Sequence, residues 1–180
     1  YGGSCFPKDV KALVQSASEV GVPLQLLRTV EAVNEQQKMV LVDKVVQRLG
    51  ADLSGKMFAL WGMAFKPKTD DMRQAPSMTL VRELARRGAR VRAYDPVAAV
   101  EAGRVLADVP GFTMAESAEA VLRGADALLI ATEWKEFRTP DFEAMRASLN
   151  APLVFDGRNL YEPELMARFG FEYHSIGRPV

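Results

Sequence analysis

Lys56-Met57-Phe58-Ala59-Leu60-Trp61-Gly62 is an apolar run closed by glycine, and it reads as a strand buried on both faces. A polar loop follows, then a helical pattern from about Pro76 to Arg87 that ends at Gly88. Ala89 to Asp95 is the next strand, Ala98 to Ala107 a helix, Phe112 to Ala115 a short strand and Ser117 to Arg123 a short helix. Ala127-Leu128-Leu129-Ile130-Ala131 is the most apolar strand. Helix Asp141–Leu149, strand Leu153–Phe155, helix Pro163–Phe169 and strand Phe171–Ile176 complete the alternation. Strands separated by helices at this spacing require right-handed crossovers and a parallel sheet. The expected fold is α/β, a Rossmann-like, doubly wound and mainly parallel sheet over residues 51–180.

Upstream of the sheet the chain is helical. Pro7 to Val20 reads as one helix, stopped by Gly21. Pro23 starts a second that reaches Leu49 and is closed by Gly50, a span of roughly 40 Å at 1.5 Å per residue. Its apolar positions Leu41, Val42, Val45, Val46 and Leu49 form a broad stripe. That stripe suits either packing on its own domain or a partner helix, and residues 1–50 are expected to form a long-helix dimerisation segment.

Composition narrows the function. Lys+Arg and Asp+Glu both number 23 in 180 residues, so net charge gives no reason to expect nucleic acid or an anionic membrane. No apolar run is long enough to span a bilayer. A single cysteine excludes an intrachain disulfide and argues against a cysteine-based zinc site, so no metal is expected. A reducing cytoplasm fits a lone thiol. The only histidine, His174, lies in the last strand and reads as structural.

That one cysteine sits in Gly2-Gly3-Ser4-Cys5-Phe6-Pro7-Lys8-Asp9. Proline favours the first position of a helix. Cys5 is therefore expected at a helix N-terminus, where partial positive charge favours a thiolate. Read alone it is either an activated nucleophile or an inert thiol. Asp9 suits the first turn of a helix on dipole grounds alone, whereas Lys8 opposes the dipole. The chain lacks an initial methionine, and the expectation is a fragment cut close to its own active site.

Ligands of a doubly wound sheet bind beyond the carboxyl ends of its strands. Three segments should meet there: Gly62 to Arg73, Thr132-Glu133-Trp134-Lys135, and Asp156-Gly157-Arg158-Asn159. The first is not a glycine-rich dinucleotide turn. It offers Lys66, Lys68 and Arg73 for phosphate oxygens and Phe65 for stacking, or else is a solvated turn. Asp95 ends the second strand, where a ribose-binding acid or a strand-end cap belongs. Arg158 is a further anion or base contact, and Trp134 is either a base platform or core.

Together these segments resemble the UDP-glucose/GDP-mannose dehydrogenase family. The cysteine motif, the loop Ala64-Phe65-Lys66-Pro67 with Thr69-Asp70-Asp71-Met72-Arg73, and Phe155-Asp156-Gly157-Arg158 match that family's motifs in order across the whole chain. The Phe-Pro form of the cysteine motif is most similar to the members that oxidise UDP-glucose. The resemblance implies that Cys5 is the nucleophile of an NAD-dependent oxidation of UDP-glucose to UDP-glucuronate through a thiohemiacetal and a thioester. Asp9 would position or deprotonate water, and Lys8 and Arg73 would contact NAD. Gly2 and Gly3 would let the backbone approach the sugar, while Phe65, Lys66 and Arg158 would hold the nucleotide. The long helix would form a homodimer core. The family's N-terminal NAD-binding domain is not in this chain, so the chain alone is expected to be inactive. A sister enzyme acting on GDP-mannose or a UDP-N-acetyl sugar, and a non-catalytic nucleotide-sugar-binding dimerisation module, are the alternatives.

Overall fold

A computed structural model describes residues Tyr1–Arg178. Two helices, α1 (Phe6–Glu19) and α2 (Gln25–Leu49), precede an alternating α/β domain. In chain order this domain contains β1 (Met57–Trp61), α3 (Pro76–Arg86), β2 (Arg90–Tyr94), α4 (Ala99–Val105), β3 (Phe112–Met114), β4 (Ala127–Ile130), α5 (Phe142–Ser148), β5 (Leu153–Asp156), α6 (Pro163–Arg168) and β6 (Glu172–Ser175). All six strands are parallel, in the order β3-β2-β1-β4-β5-β6. The chain order reverses between β1 and β4, so the expected doubly wound sheet is present, with its crevice at that seam.

The apolar run of β1 is explained by its two faces. Phe58 and Leu60 enter one core layer with Leu80 and Leu84 of α3 and Val91 of β2. Ala59 and Trp61 enter the other, with Leu128, Ile130, Phe137, Met145 and Val154. Burial on both faces removes the polar/apolar alternation of a half-exposed strand.

The second half of α2 belongs to this domain. Leu41, Val42 and Val45 are buried in the same layer as β1 and α3, with Val46 and Leu49 packed against it. The stripe at 41–49 therefore covers the sheet. Nearer its start, Leu26, Val30 and Val33 are exposed, as are Leu13, Val20 and Val22. The helix begins at Gln25 rather than Pro23, because Leu24 has ψ 67°, outside the helical region. The segment read as helix 117–123 is a 3-10 turn over Ala120–Leu122, and a further 3-10 turn at Lys135–Arg138 was not anticipated. Pro179 and Val180, at the end of the expected domain, lie outside the described residues.

Gly62, at the end of β1, fixes the seam. Its φ is +88°, and a Cβ there would meet Thr132 Oγ1 at 2.6 Å and the Thr132 backbone nitrogen at 2.7 Å. Thr132 cannot retreat, because it is fully buried and its hydroxyl donates to the Ala64 carbonyl at 2.6 Å. Gly62→Ala is expected to cost about 3 kcal/mol or more, from backbone strain and overpacking together. A melting temperature within 2 °C of the parent, about what a ΔΔG below 1 kcal/mol gives for a chain of this size, would contradict that reading.

Candidate functional site

The three segments expected at the crevice do meet there. The loop after β1 is bound to the one after β4 through Thr132 and Ala64. The Gly157 amide donates to the Ile130 carbonyl at 2.9 Å, which brings in the turn after β5. The Cys5 segment is laid against the same loop. Gly3 N–H donates to the Arg73 carbonyl at 2.8 Å. A Cβ on Gly2 would stand 2.9 Å from the Gln74 carbonyl oxygen. Gly3 has φ +84°, and a Cβ there would lie 2.8 Å from the Phe65 ring. Both glycines are thus required by the approach of the loop itself.

Cys5 is the N-cap residue of α1, with Pro7 in the first turn. Its carbonyl accepts the Asp9 amide at 2.9 Å, the first bond of the helix. Its side chain makes no capping bond, so the exposed sulfur is available to a reactant. Sγ lies 3.5 Å from Ser4 Oγ. Lys8 and Asp9 project from the first turn and pair with one another at 3.3 Å, both largely exposed.

Arg73 is joined to the Cys5 segment through its carbonyl, which accepts the Gly3 amide. Its guanidinium is forked onto Asp71, with Nε at 2.9 Å and Nη2 at 3.1 Å, and its backbone amide donates to the same carboxylate at 3.0 Å. The paired guanidinium holds the Asp71 carboxyl below its usual range. The ion pair is exposed on the arginine side and adds little to stability. Lys66 lies 5.2 Å above the Phe65 ring and is otherwise exposed, a cation held near an aromatic face.

Arg158 completes the cationic set. Its backbone is fixed by the buried Asp156, which accepts the Arg158 amide at 2.8 Å, and its side chain pairs with Glu133. It lines a cavity of about 170 Å³ together with Tyr1, Asn34, Lys38, Leu41 and Pro76. This cavity joins Tyr1, α2 and the turn after β5 in one depression. Among the described residues no group of three or more His, Cys, Asp and Glu side chains is arranged to hold a metal ion. Nor is any helix long and apolar enough to cross a membrane.

Two arrangements escaped the sequence reading. The first is the network around Asp95, which is 1% exposed. Its carboxylate accepts the amides of Met63, Ala64, Val97 and Ala98 at 2.7–3.1 Å and the indole N–H of Trp134 at 3.1 Å. Asp95 is therefore the strand-end cap and Trp134 is core. Amides that a dinucleotide turn would present to a ligand are here turned onto the protein's own carboxylate. The second is Lys38, buried on the apolar stripe of α2 with its Nζ 2.8 Å from both Glu35 and Gln74. The sequence did carry that signal, as a cation three residues before Leu41, at the edge of the apolar stripe.

The profile of the UDP-glucose/GDP-mannose dehydrogenase family, UDP binding domain, matches residues 59–163, and that of the family's central domain matches residues 1–36. A UDP-glucose 6-dehydrogenase of Pseudomonas aeruginosa is 51% identical over 99% of this chain, and one of Bacillus subtilis is 45% identical over 99%. The chain spans about 40% of the length of each. Among solved structures, a UDP-glucose dehydrogenase from Pyrobaculum islandicum superposes with a TM-score of 0.81 at 34% identity, covering 97% of this chain and 37% of that one. A UDP-D-ManNAc dehydrogenase from Pyrococcus horikoshii gives 0.74 at 29%, covering 98% and 38%.

Proposed function

The chain belongs to the UDP-glucose/GDP-mannose dehydrogenase family, and from that premise we propose that the protein carrying it is an NAD-dependent UDP-glucose 6-dehydrogenase in which Cys5 is the nucleophile. The observation that carries this reading is the seating of Cys5. Its exposed Sγ lies at a helix N-terminus, on a segment that Gly2 and Gly3 seat against the loop carrying Phe65, Lys66 and Arg73. UDP-glucose is favoured over the sister sugars by the naming of the similar bacterial proteins.

The chemistry follows from these groups. The sugar's 6-hydroxyl is first oxidised to an aldehyde, losing a hydride and a proton. The Cys5 sulfur then adds to the carbonyl carbon and gives a thiohemiacetal. Loss of a second hydride and a proton leaves a thioester. Water attacks the acyl carbon, the C–S bond breaks, and the acid is released with the thiolate restored. Sulfur suits both roles because it attacks well and departs well. Asp9, one helical turn along, positions or deprotonates the water.

NAD, bound in turn as two molecules, would accept the two hydrides, one each. The sheet described here is not its site, because no glycine turn opens α3 and Asp95 already takes the Met63 and Ala64 amides. Lys8 and Arg73, both exposed, are suited to single contacts with a cofactor held by the rest of the enzyme. Gly2 and Gly3 bring the backbone close to the sugar, and Phe65, Lys66 and Arg158 grip the nucleotide. In this reading residues 1–50 form the dimerisation segment, its 41–49 stripe also covering the sheet, and 51–180 the UDP-sugar-binding domain. The exposed Leu26, Val30 and Val33 of α2 meet their counterparts in a homodimer. A free Cys5 used as a nucleophile fits a cytoplasmic enzyme.

The 180-residue chain is expected to bind UDP weakly, at about millimolar Kd, and to reduce no NAD with UDP-glucose. Calorimetry should show heat with UDP that Arg158→Ala or Lys66→Ala diminishes. No heat at millimolar UDP would count against the assigned nucleotide contacts. NAD reduction by the isolated chain would overturn the division of labour.

A further inference from the structure

Lys38 has no part in the chemistry above, yet its side chain is only 5% exposed. A buried lysine is costly unless its charge is met by close partners. Here Nζ stands 2.8 Å from Glu35 Oε1, one turn back on α2, and 2.8 Å from Gln74 Oε1, on the loop after β1. Gln74 is one of three non-glycine residues among those described with positive φ, at +58°. That conformation is strained for a residue with a Cβ and persists only where the surroundings impose it. The contact from Lys38 is one such imposition.

What the strained turn holds is the Cys5 segment. Arg73, one residue before Gln74, accepts the Gly3 amide, and the Gln74 carbonyl lies against Gly2. The same face of α2 grips the segment directly. Asn34 Nδ2 donates to the Tyr1 carbonyl at 3.1 Å, and the Tyr1 hydroxyl bonds to Glu31. Glu31, Asn34 and Lys38 follow one another at i, i+3 and i+7, a single ridge of the helix. Two of its contacts end on Tyr1 and the third on the turn that receives Gly3.

We propose that Lys38 is a positioning residue: by clamping Gln74 it fixes the 73–75 turn on which Gly2 and Gly3 are seated, and so sets where the Cys5 sulfur stands relative to the nucleotide-gripping loop. The catalytic part of this inference rests on the nucleophilic role of Cys5, whereas the clamp itself does not. Misplacing a nucleophile by about 1 Å costs on the order of a hundredfold in rate with little effect on remote binding contacts.

Hydrogen exchange on the 180-residue chain reads the clamp without any activity. Lys38→Met keeps the length and apolar stem but loses both charge-assisted bonds. Exchange at the Gly3 amide should rise about tenfold or more, while amides of β1 and β4 remain protected. Gln74→Gly, which accepts a positive φ but offers no side-chain partner, should do the same from the other end. Lys38→Arg should restore protection, since the cavity beside Lys38 has room for the longer side chain. In the whole enzyme, Lys38→Met should lower kcat by about tenfold or more with the KM for UDP-glucose within about threefold, and Lys38→Arg should recover most of kcat. Unchanged Gly3 exchange in both Lys38→Met and Gln74→Gly would overturn the clamp. A loosened Gly3 with kcat intact would overturn its catalytic consequence. A loosened Gly3 in an enzyme with no activity on any nucleotide sugar would instead overturn the assigned function and leave the clamp standing.

Discussion

Asp95→Ala is expected to take this domain to the edge of unfolding. The carboxylate receives five N–H groups from three segments: the turn after β1, the start of the chain leading into α4, and the Trp134 indole. All lie at the seam between β1, β2 and β4, and Asp95 itself is 1% exposed. Each buried donor left without an acceptor costs roughly 1–3 kcal/mol. Water entering the small cavity would recover part of that, so a net loss of about 4 kcal/mol or more is the expected result. That is comparable with the whole stability of many domains. For a chain of this length it corresponds to a fall of about 10 °C or more in the melting temperature. Asp95→Asn keeps the shape but turns an amide N–H₂ toward donors, and should recover only part of the loss. A melting temperature for Asp95→Ala within about 3 °C of the parent would show that the network carries no such weight.

Cys5→Ser should abolish acid formation by the whole enzyme while leaving the fold intact. The sulfur is exposed, makes no capping bond and has only Ser4 Oγ at 3.5 Å, so nothing in the structure depends on it. A hydroxyl in its place ionises far less readily at neutral pH and attacks a carbonyl correspondingly slowly. UDP-glucuronate formation is expected to fall at least about a thousandfold, with the melting temperature unchanged. Running the parent enzyme in parallel on UDP-glucose, GDP-mannose and UDP-N-acetylmannosamine separates the proposed substrate from its alternatives. Undiminished acid formation by Cys5→Ser would leave a nucleotide-sugar-binding module as the better description of this chain.

The centre of the sheet was legible because β1, β4 and β5 are buried on both faces. Runs such as Phe58–Trp61 and Ala127–Ile130 have no amphipathic helical reading, and the glycines at 62, 88 and 170 punctuate them where the backbone takes positive φ. Strand ends shifted by a residue, as expected where hydrogen bonding fades at the rims. The 3-10 turns were not legible, because three or four residues carry no periodicity. At the site, Cys5, Arg73 and Arg158 were visible as residue types in motifs. What they lean on was not. Asp95 draws donors from positions 63, 64, 97, 98 and 134, a set that only the folded topology brings together. Phe65 was read as a stacking group, and the structure lays its ring across Gly3, a contact between residues 62 positions apart. Lys38 was hidden in a stripe that was read for its apolar members alone.

The most direct test of the account is the identity of the residue that carries the acyl group. The whole enzyme is mixed with UDP-glucose and NAD, quenched in acid during turnover, digested and mapped by mass spectrometry. A glucuronyl thioester on the peptide containing Cys5, formed only when both reactants are present, is the expected result. An acyl adduct on another residue, with Cys5 still a free thiol, would contradict it.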